Sequence, residues 1–203
     1  MNKTKKGYIN ILMFIFCILL IIIVFFAFTL ERYLINTKGN MAKDGIILSN
    51  LATYKNISKK ALGDNPNLFK FENDAALSND KVTPDSIKAY KTFEEYLSAN
   101  MRLDGNLVGL SNSIAKGKVN ITRYIIYNVS ENSIEILTYN NLSNSFSVKE
   151  VNKGIETVLT PAGTEVDKTM IHTTIKFNIV PMMKGILGQT REVTVMADTD
   201  ITK

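Results

Sequence analysis

The sequence contains one cysteine and one histidine, and these two scarcities limit the metal and redox chemistry open to it. Cys17 lies inside a long apolar run and has no second cysteine to pair with, so an intramolecular disulfide and a cysteine-based metal site are both excluded. His172 would need three carboxylates beside it to complete a zinc site, which is an uncommon ligand set. We therefore predict no metal and no cofactor. Because His172 falls opposite Ile171 and Thr173 in an alternating segment, we predict that it is a solvated residue on a sheet surface.

Motifs of the common enzyme classes are also missing. The chain has no GxSxG nucleophile elbow, no GxxxxGK phosphate loop and no GxGxxG dinucleotide turn. Its acidic side chains are scattered, and the four that come nearest to a calcium site have no twelve-residue loop pattern to support one. We predict that these four form a solvated strand end: Glu165, Asp167, Asp198 and Asp200. The absences together predict a protein that is not an enzyme and takes no small-molecule substrate.

Basic charge is not clustered anywhere beyond the N-terminus. The formal net charge is +5, but three of the 24 basic residues, Lys3, Lys5 and Lys6, precede the apolar run in a stretch without acids. The remaining bases nearly balance the 19 acids and are spread along the chain. A nucleic-acid groove needs lysine and arginine gathered on one surface. The sequence therefore predicts no nucleic-acid partner.

The most prominent feature that the sequence does have is a charge-free apolar run at residues 8–30. Its length matches the roughly 20 residues needed to cross the hydrocarbon core of a bilayer, and exceeds the apolar region of about 7 to 15 residues in a signal peptide. The run ends Phe28, Thr29, Leu30, without the small residues that precede a signal-peptide cut. We therefore predict one uncleaved transmembrane helix, with the lipid bilayer as a partner.

The charges that flank the run predict its direction. Lysines without acids stand on the N-terminal side, whereas bases and acids nearly cancel on the other side, so the positive-inside rule places the N-terminus in the cytoplasm. We predict a single-pass protein of the cell membrane. It is divided into a short cytoplasmic basic segment at residues 1–7, the transmembrane helix at residues 8–30, and an extracytoplasmic α+β domain at residues 31–203.

Hydrophobic spacing predicts two helices. Apolar residues recur at about helical spacing from Tyr33 to Tyr54, so the anchor helix is expected to continue into the domain. A loop is predicted at residues 56–81. Thr83 and Pro84 are a favourable cap and first turn for a second helix, which should end near residue 101. Its predicted buried stripe contains Ile87, Tyr90, Phe93, Leu97 and Met101.

A period of two after Lys118 predicts an antiparallel sheet. Runs at residues 134–139 and around Phe146 and Val148 complete a meander with a first strand. One face of that first strand is predicted to hold Val119, Ile121, Ile125, Tyr127 and Val129. Residues 170–180 and 191–197 predict a final antiparallel pair joined through residues 181–188. Its buried face is predicted to hold Ile171, Thr173, Ile175, Phe177 and Ile179.

Two segments resemble the TadE-like family, the pseudopilins of the tight-adherence (Flp) pilus and secretion machinery. In that family the anchor continues as a helix into an Ala-rich segment that ends in a base, an acid and a glycine, and MAKDG at residues 41–45 is similar. The family also tends to close with a strand, a proline-containing loop ending in Leu-Gly, and a final strand. Residues 175–197 follow this order, with Pro181 before the loop and Leu187-Gly188 at its close. The resemblance covers both ends of the chain and leaves the middle unaccounted for.

The resemblance implies a non-enzymatic bacterial cell-envelope protein that helps to assemble or support a thin pilus, with pilus or secretion proteins or other pseudopilins as partners. Prepilin-like members have a short basic leader that is cut after a glycine. Lys5-Lys6-Gly7 fits this leader, so Gly7 and Tyr8 would flank the processing site. Leu12 stands where those members carry a glutamate, five residues into the mature helix. This departure predicts a low-copy or membrane-retained component rather than the major filament subunit.

A second interpretation is a membrane-anchored binding or accessory subunit of another cell-envelope complex. Neighbouring genes discriminate between the two interpretations. A secretion ATPase encoded beside integral-membrane platform proteins would favour the pilus machinery, and their absence would favour the accessory subunit.

Overall fold

The computed structural model describes residues 3–56, 71, 85–182 and 190–200, with the backbone alone for residues 3–10. Within these ranges lie two α-helices, α1 (Lys3–Thr53) and α2 (Asp85–Met101), and a 3-10 turn (Tyr54–Asn56) after α1. The strands are β1 (Lys116–Val129), β2 (Ser133–Asn140), β3 (Ser145–Asn152), β4 (Met170–Ile179) and β5 (Arg191–Asp200). The predicted α+β class, with a long N-terminal helix, one further helix and an antiparallel sheet, is confirmed.

Helix α1 is unbroken over 51 residues, so the predicted continuation of the anchor helix into the domain is confirmed. Two glycines lie within it without interrupting it. A Cβ at Gly39 would meet only open space, whereas one at Gly45 would stand 3.5 Å from Cγ of Met101. Residue 45 therefore faces α2, at a distance where a Cβ would make ordinary van der Waals contact.

Helix α2 runs antiparallel to α1. Asn100, near its C-terminal end, donates from Nδ2 to Oγ of Ser49 at 3.1 Å, whereas Thr92 accepts from Nδ2 of Asn56 at 3.0 Å. The predicted stripe is confirmed at Tyr90, Phe93, Leu97 and Met101, which are buried, and Ile87 is partly buried. The predicted cap, Thr83 and Pro84, and most of the predicted loop at residues 56–81 lie outside the described residues.

The five strands form one antiparallel sheet in the order β3-β2-β1-β4-β5. The first three strands are the predicted meander, and β4 pairs with β5 along its full length, from Met170 opposite Asp200 to Ile179 opposite Arg191. The face predicted for β4 is confirmed, since Ile171, Thr173, Ile175, Phe177 and Ile179 are all buried. Most of the connection predicted at residues 181–188 lies outside the described residues.

The face predicted for β1 is wrong in its second half. Val119 and Ile121 face the helices, but an irregularity in the pairing with β4 between Ile121 and Arg123 shifts the alternation by one residue. Beyond this bulge, Tyr124 and Ile126 take over the helix side, and Ile125 and Tyr127 turn to the opposite face. A bulge inserts an extra residue and so reverses the facing of the residues that follow.

The sheet is covered on both faces, unequally. The larger core lies between the sheet and the two helices and includes Ala42 and Ile46 of α1, Phe93 of α2 and Phe177 of β4. A smaller cluster on the opposite face contains Ile125, Tyr127, Ile134, Val166 and Met170. Val166 belongs to the segment between β3 and β4, which lies over this second face. Because both faces are covered, His172 on the second face is buried.

Candidate functional site

The N-terminal part of α1 exposes large apolar side chains over most of its circumference. From Ile11 to Leu30 the large aliphatic and aromatic residues are exposed, and Leu12 is 70% accessible. Cys17 is exposed as well. Among the described residues, α1 is the one helix that is long and apolar enough to cross a membrane. A helix that is apolar all round and unburied by its own protein fits a lipid environment.

The predicted processing residues, Gly7 and Tyr8, lie within the helical backbone of α1. Their position in a helix does not test the cleavage prediction, which stays a prediction.

The junction between the exposed part of α1 and the sheet is marked by a buried carboxylate. Glu31 directly follows the apolar run and is only 2% accessible. Its Oε2 accepts a hydrogen bond from the backbone N–H of Met182, two residues after the end of β4, at 2.8 Å. Its Oε1 is buried and has no hydrogen-bond partner in the part of the chain that the structure describes. Glu31 therefore fixes the level at which the end of β4 meets the helix.

Towards the C-terminal end of α1, a group of polar side chains, which we call the polar seam, joins the helix to β4 and β5. The amide of Asn50 donates from Nδ2 to Oγ1 of Thr199 at 3.2 Å, and its Oδ1 accepts from Oγ1 of Thr173 at 2.9 Å. Tyr54 donates from its hydroxyl to the backbone carbonyl of Thr199 at 2.7 Å. Burial, with smaller effects of Tyr124 and Asp200, raises the pKa of the Tyr54 phenol far above its usual value, so the group stays a neutral donor. Directional bonds of this kind fix the rotation of α1 over the sheet.

His172 is not solvated, and the prediction for it is wrong. The imidazole is 0% accessible and lies within a chain of polar side chains on the second face of the sheet. Its Nδ1 is 2.6 Å from Oδ1 of Asp198, and its Nε2 is 2.8 Å from Oγ1 of Thr174. Thr160 donates from Oγ1 to the other carboxylate oxygen of Asp198 at 2.7 Å. Since an ionised carboxylate only accepts, Nδ1 of His172 carries the hydrogen in this pair.

The ionisation of Asp198 follows from these contacts. Its partial burial by itself would raise the pKa, but hydrogen bonds from His172, Thr164 and Thr160 outweigh burial, and the pKa of the Asp198 carboxyl lies below its usual value. Burial, with a smaller contribution from the Asp198 charge, raises the pKa of the nearby Tyr127 to about 12. The second face therefore holds a carboxylate and a neutral phenol at physiological pH.

The order of hydroxyl, imidazole and carboxylate in Thr174, His172 and Asp198 is that of a hydrolase relay. A relay needs a nucleophile that a substrate carbonyl can reach, and both His172 and Thr174 are buried. The arrangement instead fastens the segment between β3 and β4 to the sheet. Thr160 bonds Asp198 through its hydroxyl and also accepts the backbone N–H groups of Ala162 and Thr164, at 3.2 Å each.

One feature of the sequence indicated that the face of β4 with His172 is buried. Met170, a large apolar residue, lies on the same strand face as His172 and Thr174, which is unexpected for a solvated face, and all three are buried. The segment between β3 and β4, which covers this face, has no helical or strand periodicity. Its position could therefore not be derived from the spacing of apolar residues.

The four acids weighed as a calcium site do not assemble into one. Asp198 turns towards His172, whereas Glu165 and Asp167 are exposed to solvent. Across residues 3–56, 71, 85–182 and 190–200, no group of three histidine, cysteine, aspartate or glutamate side chains is placed to hold a metal ion. The prediction of a solvated strand end is wrong for Asp198, which is bonded on both oxygens.

Comparisons of the chain with protein-family models, with curated proteins and with solved structures found no match. The sequence resemblance and the geometry of α1 and the sheet are therefore the basis for proposing a function.

Proposed function

We propose that this protein is a non-enzymatic, single-pass membrane subunit that helps to assemble or support a tight-adherence-type pilus or secretion system, as a minor pseudopilin-like component. The observation that carries the proposal is the geometry of α1. The N-terminal part of this unbroken helix is apolar and exposed, and its C-terminal part packs against a small sheet domain. Such a subunit can be held in the membrane and presented to partners outside it by the same helix.

The proposed topology places the N-terminus in the cytoplasm and the sheet domain outside it. Lys3, Lys5 and Lys6 precede the apolar run without an acid, which supports this direction. Partners would be proteins of the pilus or secretion machinery, or other pseudopilins, and they would meet the protein at the exposed helix or at the domain.

The proposed minor role follows from the apolar character of residue 12. In pilin-like filaments a carboxylate buried in the helix bundle can pair with the amino terminus of a neighbouring subunit, and an unpaired charge in such a place is costly. Leu12 is an exposed apolar side chain and cannot form that pair. If the leader is cut between Gly7 and Tyr8, the new amine has no such partner at residue 12. We propose that the protein stays membrane-retained or enters the filament at low copy number.

Mass spectrometry of sheared surface filaments and of membranes from the same cells tests the proposal. We expect the protein mainly in the membrane fraction, with pilus-machinery proteins co-purifying after mild crosslinking. The same spectra read the mature N-terminus and so determine whether cleavage precedes Tyr8. Recovery as the dominant filament protein would contradict the minor role.

Crosslinking exclusively to an unrelated envelope complex would replace the pilus assignment by the accessory-subunit interpretation.

Topology is tested in parallel by adding protease to spheroplasts. Digestion of the sheet domain is expected, and full protection of it in intact spheroplasts would contradict the proposed orientation.

A further inference from the structure

The sheet domain has an identifiable membrane-proximal end. Glu31, the first residue after the apolar run, accepts from the backbone N–H of Met182 at 2.8 Å. Ile179, the last residue of β4, is three residues before Met182, so the two are at most about 10 Å apart along the chain. The polar seam at Asn50 and Thr173 lies further along α1, away from the apolar run. The C-terminal end of β4 is therefore the end of the sheet nearest the bilayer.

The strands beside this end bring basic side chains to the same level. Arg191 is paired with Ile179, and Lys116 is paired with Asn178. Lys118 follows Lys116 on β1, and Arg32 follows Glu31 on α1. All four of these side chains are exposed, and we call them the basal basic cluster: Arg32, Lys116, Lys118 and Arg191.

Acids near this end are engaged with other groups. Glu192 approaches Lys176 with a nitrogen–oxygen distance of 3.6 Å. Asp104, near the start of β1, accepts from the backbone N–H groups of Asn106 and Val108 at 2.9 and 2.8 Å. Glu31 is buried. Among the described residues at this end, Lys176 offsets Glu192, and the four bases of the basal basic cluster outnumber the two remaining acids, Asp104 and Glu31.

The opposite end of the domain carries exposed acids. Glu131 lies in the turn between β1 and β2, and Glu156, Glu165 and Asp167 lie in the segment between β3 and β4, with the bases Lys153 and Lys168 among them. The domain is thus electrically polarised along the direction of α1. An anionic surface would attract the end that α1 already holds near the bilayer and would repel the other end.

We propose that the basal basic cluster binds anionic phospholipid headgroups and seats the domain on the surface of the bilayer that α1 crosses. The headgroup region extends roughly 5 to 7 Å beyond the hydrocarbon core on each side. Lysine and arginine carry their charge on long flexible stems, and attraction across water persists over a Debye length of about 8 Å. Arg191 and Lys116 therefore lie within reach of lipid phosphates. The inference depends on α1 lying in a bilayer and is independent of any role in a pilus.

Tryptophan fluorescence in the full chain tests this docking, because the natural sequence contains no tryptophan. Leu110 is a suitable reporter position: it is 55% accessible and follows Gly109, whose N–H donates to the carbonyl of Gly117 beside Lys116. Ile155, 77% accessible at the acidic end, is the matched distal position. Each single substitution, Leu110→Trp or Ile155→Trp, is placed in nanodiscs that contain lipids with brominated acyl chains as quenchers.

We expect quenching of the tryptophan at position 110 to be stronger in discs of phosphatidylcholine mixed with phosphatidylglycerol than in phosphatidylcholine alone, and to weaken with added salt. The tryptophan at position 155 should show no such difference. Each basic residue near an anionic surface contributes about fivefold to binding, so Lys116→Gln with Arg191→Gln should lower the docked-to-undocked ratio roughly 25-fold. Lys153→Gln, at the distal end, is the matched control and should leave the ratio unchanged.

Equal quenching at position 110 in neutral and anionic discs would overturn the proposal. So would anionic-disc quenching that survives the double substitution, or an equal loss with Lys153→Gln. Circular dichroism of each variant checks that the fold is retained, as expected for exposed side chains. None of these outcomes bears on the pilus proposal, which crosslinking and filament analysis test separately.

Discussion

The two parts of α1 share one backbone conformation and differ in almost everything else. From Ile11 to Leu30 the helix is apolar and exposed, and the side-chain hydrogen bond found there is local, from Thr29 to the carbonyl of Phe25. In the second part, buried positions recur at helical spacing from Ala42 to Thr53, and side chains bond partners far away in sequence. In the first part of α1 the overall apolar composition determines the environment of the helix. In the second part the environment depends on which position each side chain occupies.

The largest expected effect is the difference in unfolding free energy between the same substitution made in the two parts of α1. Ile46 is fully buried in the larger core, and Ile46→Ala should cost about 2 to 5 kcal/mol of the domain's unfolding free energy through lost burial and a residual cavity. Ile21 is 68% accessible, so Ile21→Ala removes no packing inside the protein and should leave domain unfolding nearly unchanged. Thermal melts of the full chain in detergent measure both. Equal losses would show that the exposed part also packs on the domain.

A smaller effect is expected from the polar seam. Asn50→Ala leaves the hydroxyls of Thr173 and Thr199 without their amide partner in a buried place, which should cost about 1 to 3 kcal/mol. Asn36→Ala, at an exposed position of the same helix, is the control and should cost less than about 0.5 kcal/mol. Chemical denaturation of the three proteins gives the comparison. If the two substitutions cost the same, the seam does not help to position α1.

The smallest effect concerns pH. Because the pKa of Asp198 is lower in the folded protein than in the unfolded chain, the unfolded chain binds more protons in acid, and stability must fall as pH decreases. The stabilisation from Asp198 is complete above the pKa of about 4 that aspartate has in the unfolded chain. It is lost as pH falls through the lower pKa of the folded protein. Asp198→Asn should remove this acid-dependent part and so make Tm fall less steeply as pH decreases.

Melts between neutral pH and acid check this, with Asp167→Asn at an exposed position as the matched control. Because Asp198 and His172 are in direct contact, the difference between the profiles of wild type and Asp198→Asn reports this pair. Identical profiles for wild type and Asp198→Asn would mean that the carboxylate adds nothing to folding.

The parts of the fold that depend on local pattern were predictable. The length of the apolar run, the stripe of α2 and the pairing of β4 with β5 follow from spacing along a single segment. The facing of Ile125 and Tyr127 was not predictable, because one extra residue at a bulge reverses every position after it. The burial of His172 was missed because its cover, the segment that holds Thr160 and Val166, is an irregular connection placed by tertiary contacts.

The continuity of α1 through Gly39 has a mechanical consequence. Because nothing interrupts the helix between its exposed apolar part and the part that packs on the sheet, rotation of the apolar part is transmitted to the domain. The 23 residues from Glu31 to Thr53 span about 33 Å, so a change of about 20° in tilt displaces Thr53 by about 11 Å. The tilt of the apolar part of α1 therefore determines where the far end of the domain lies.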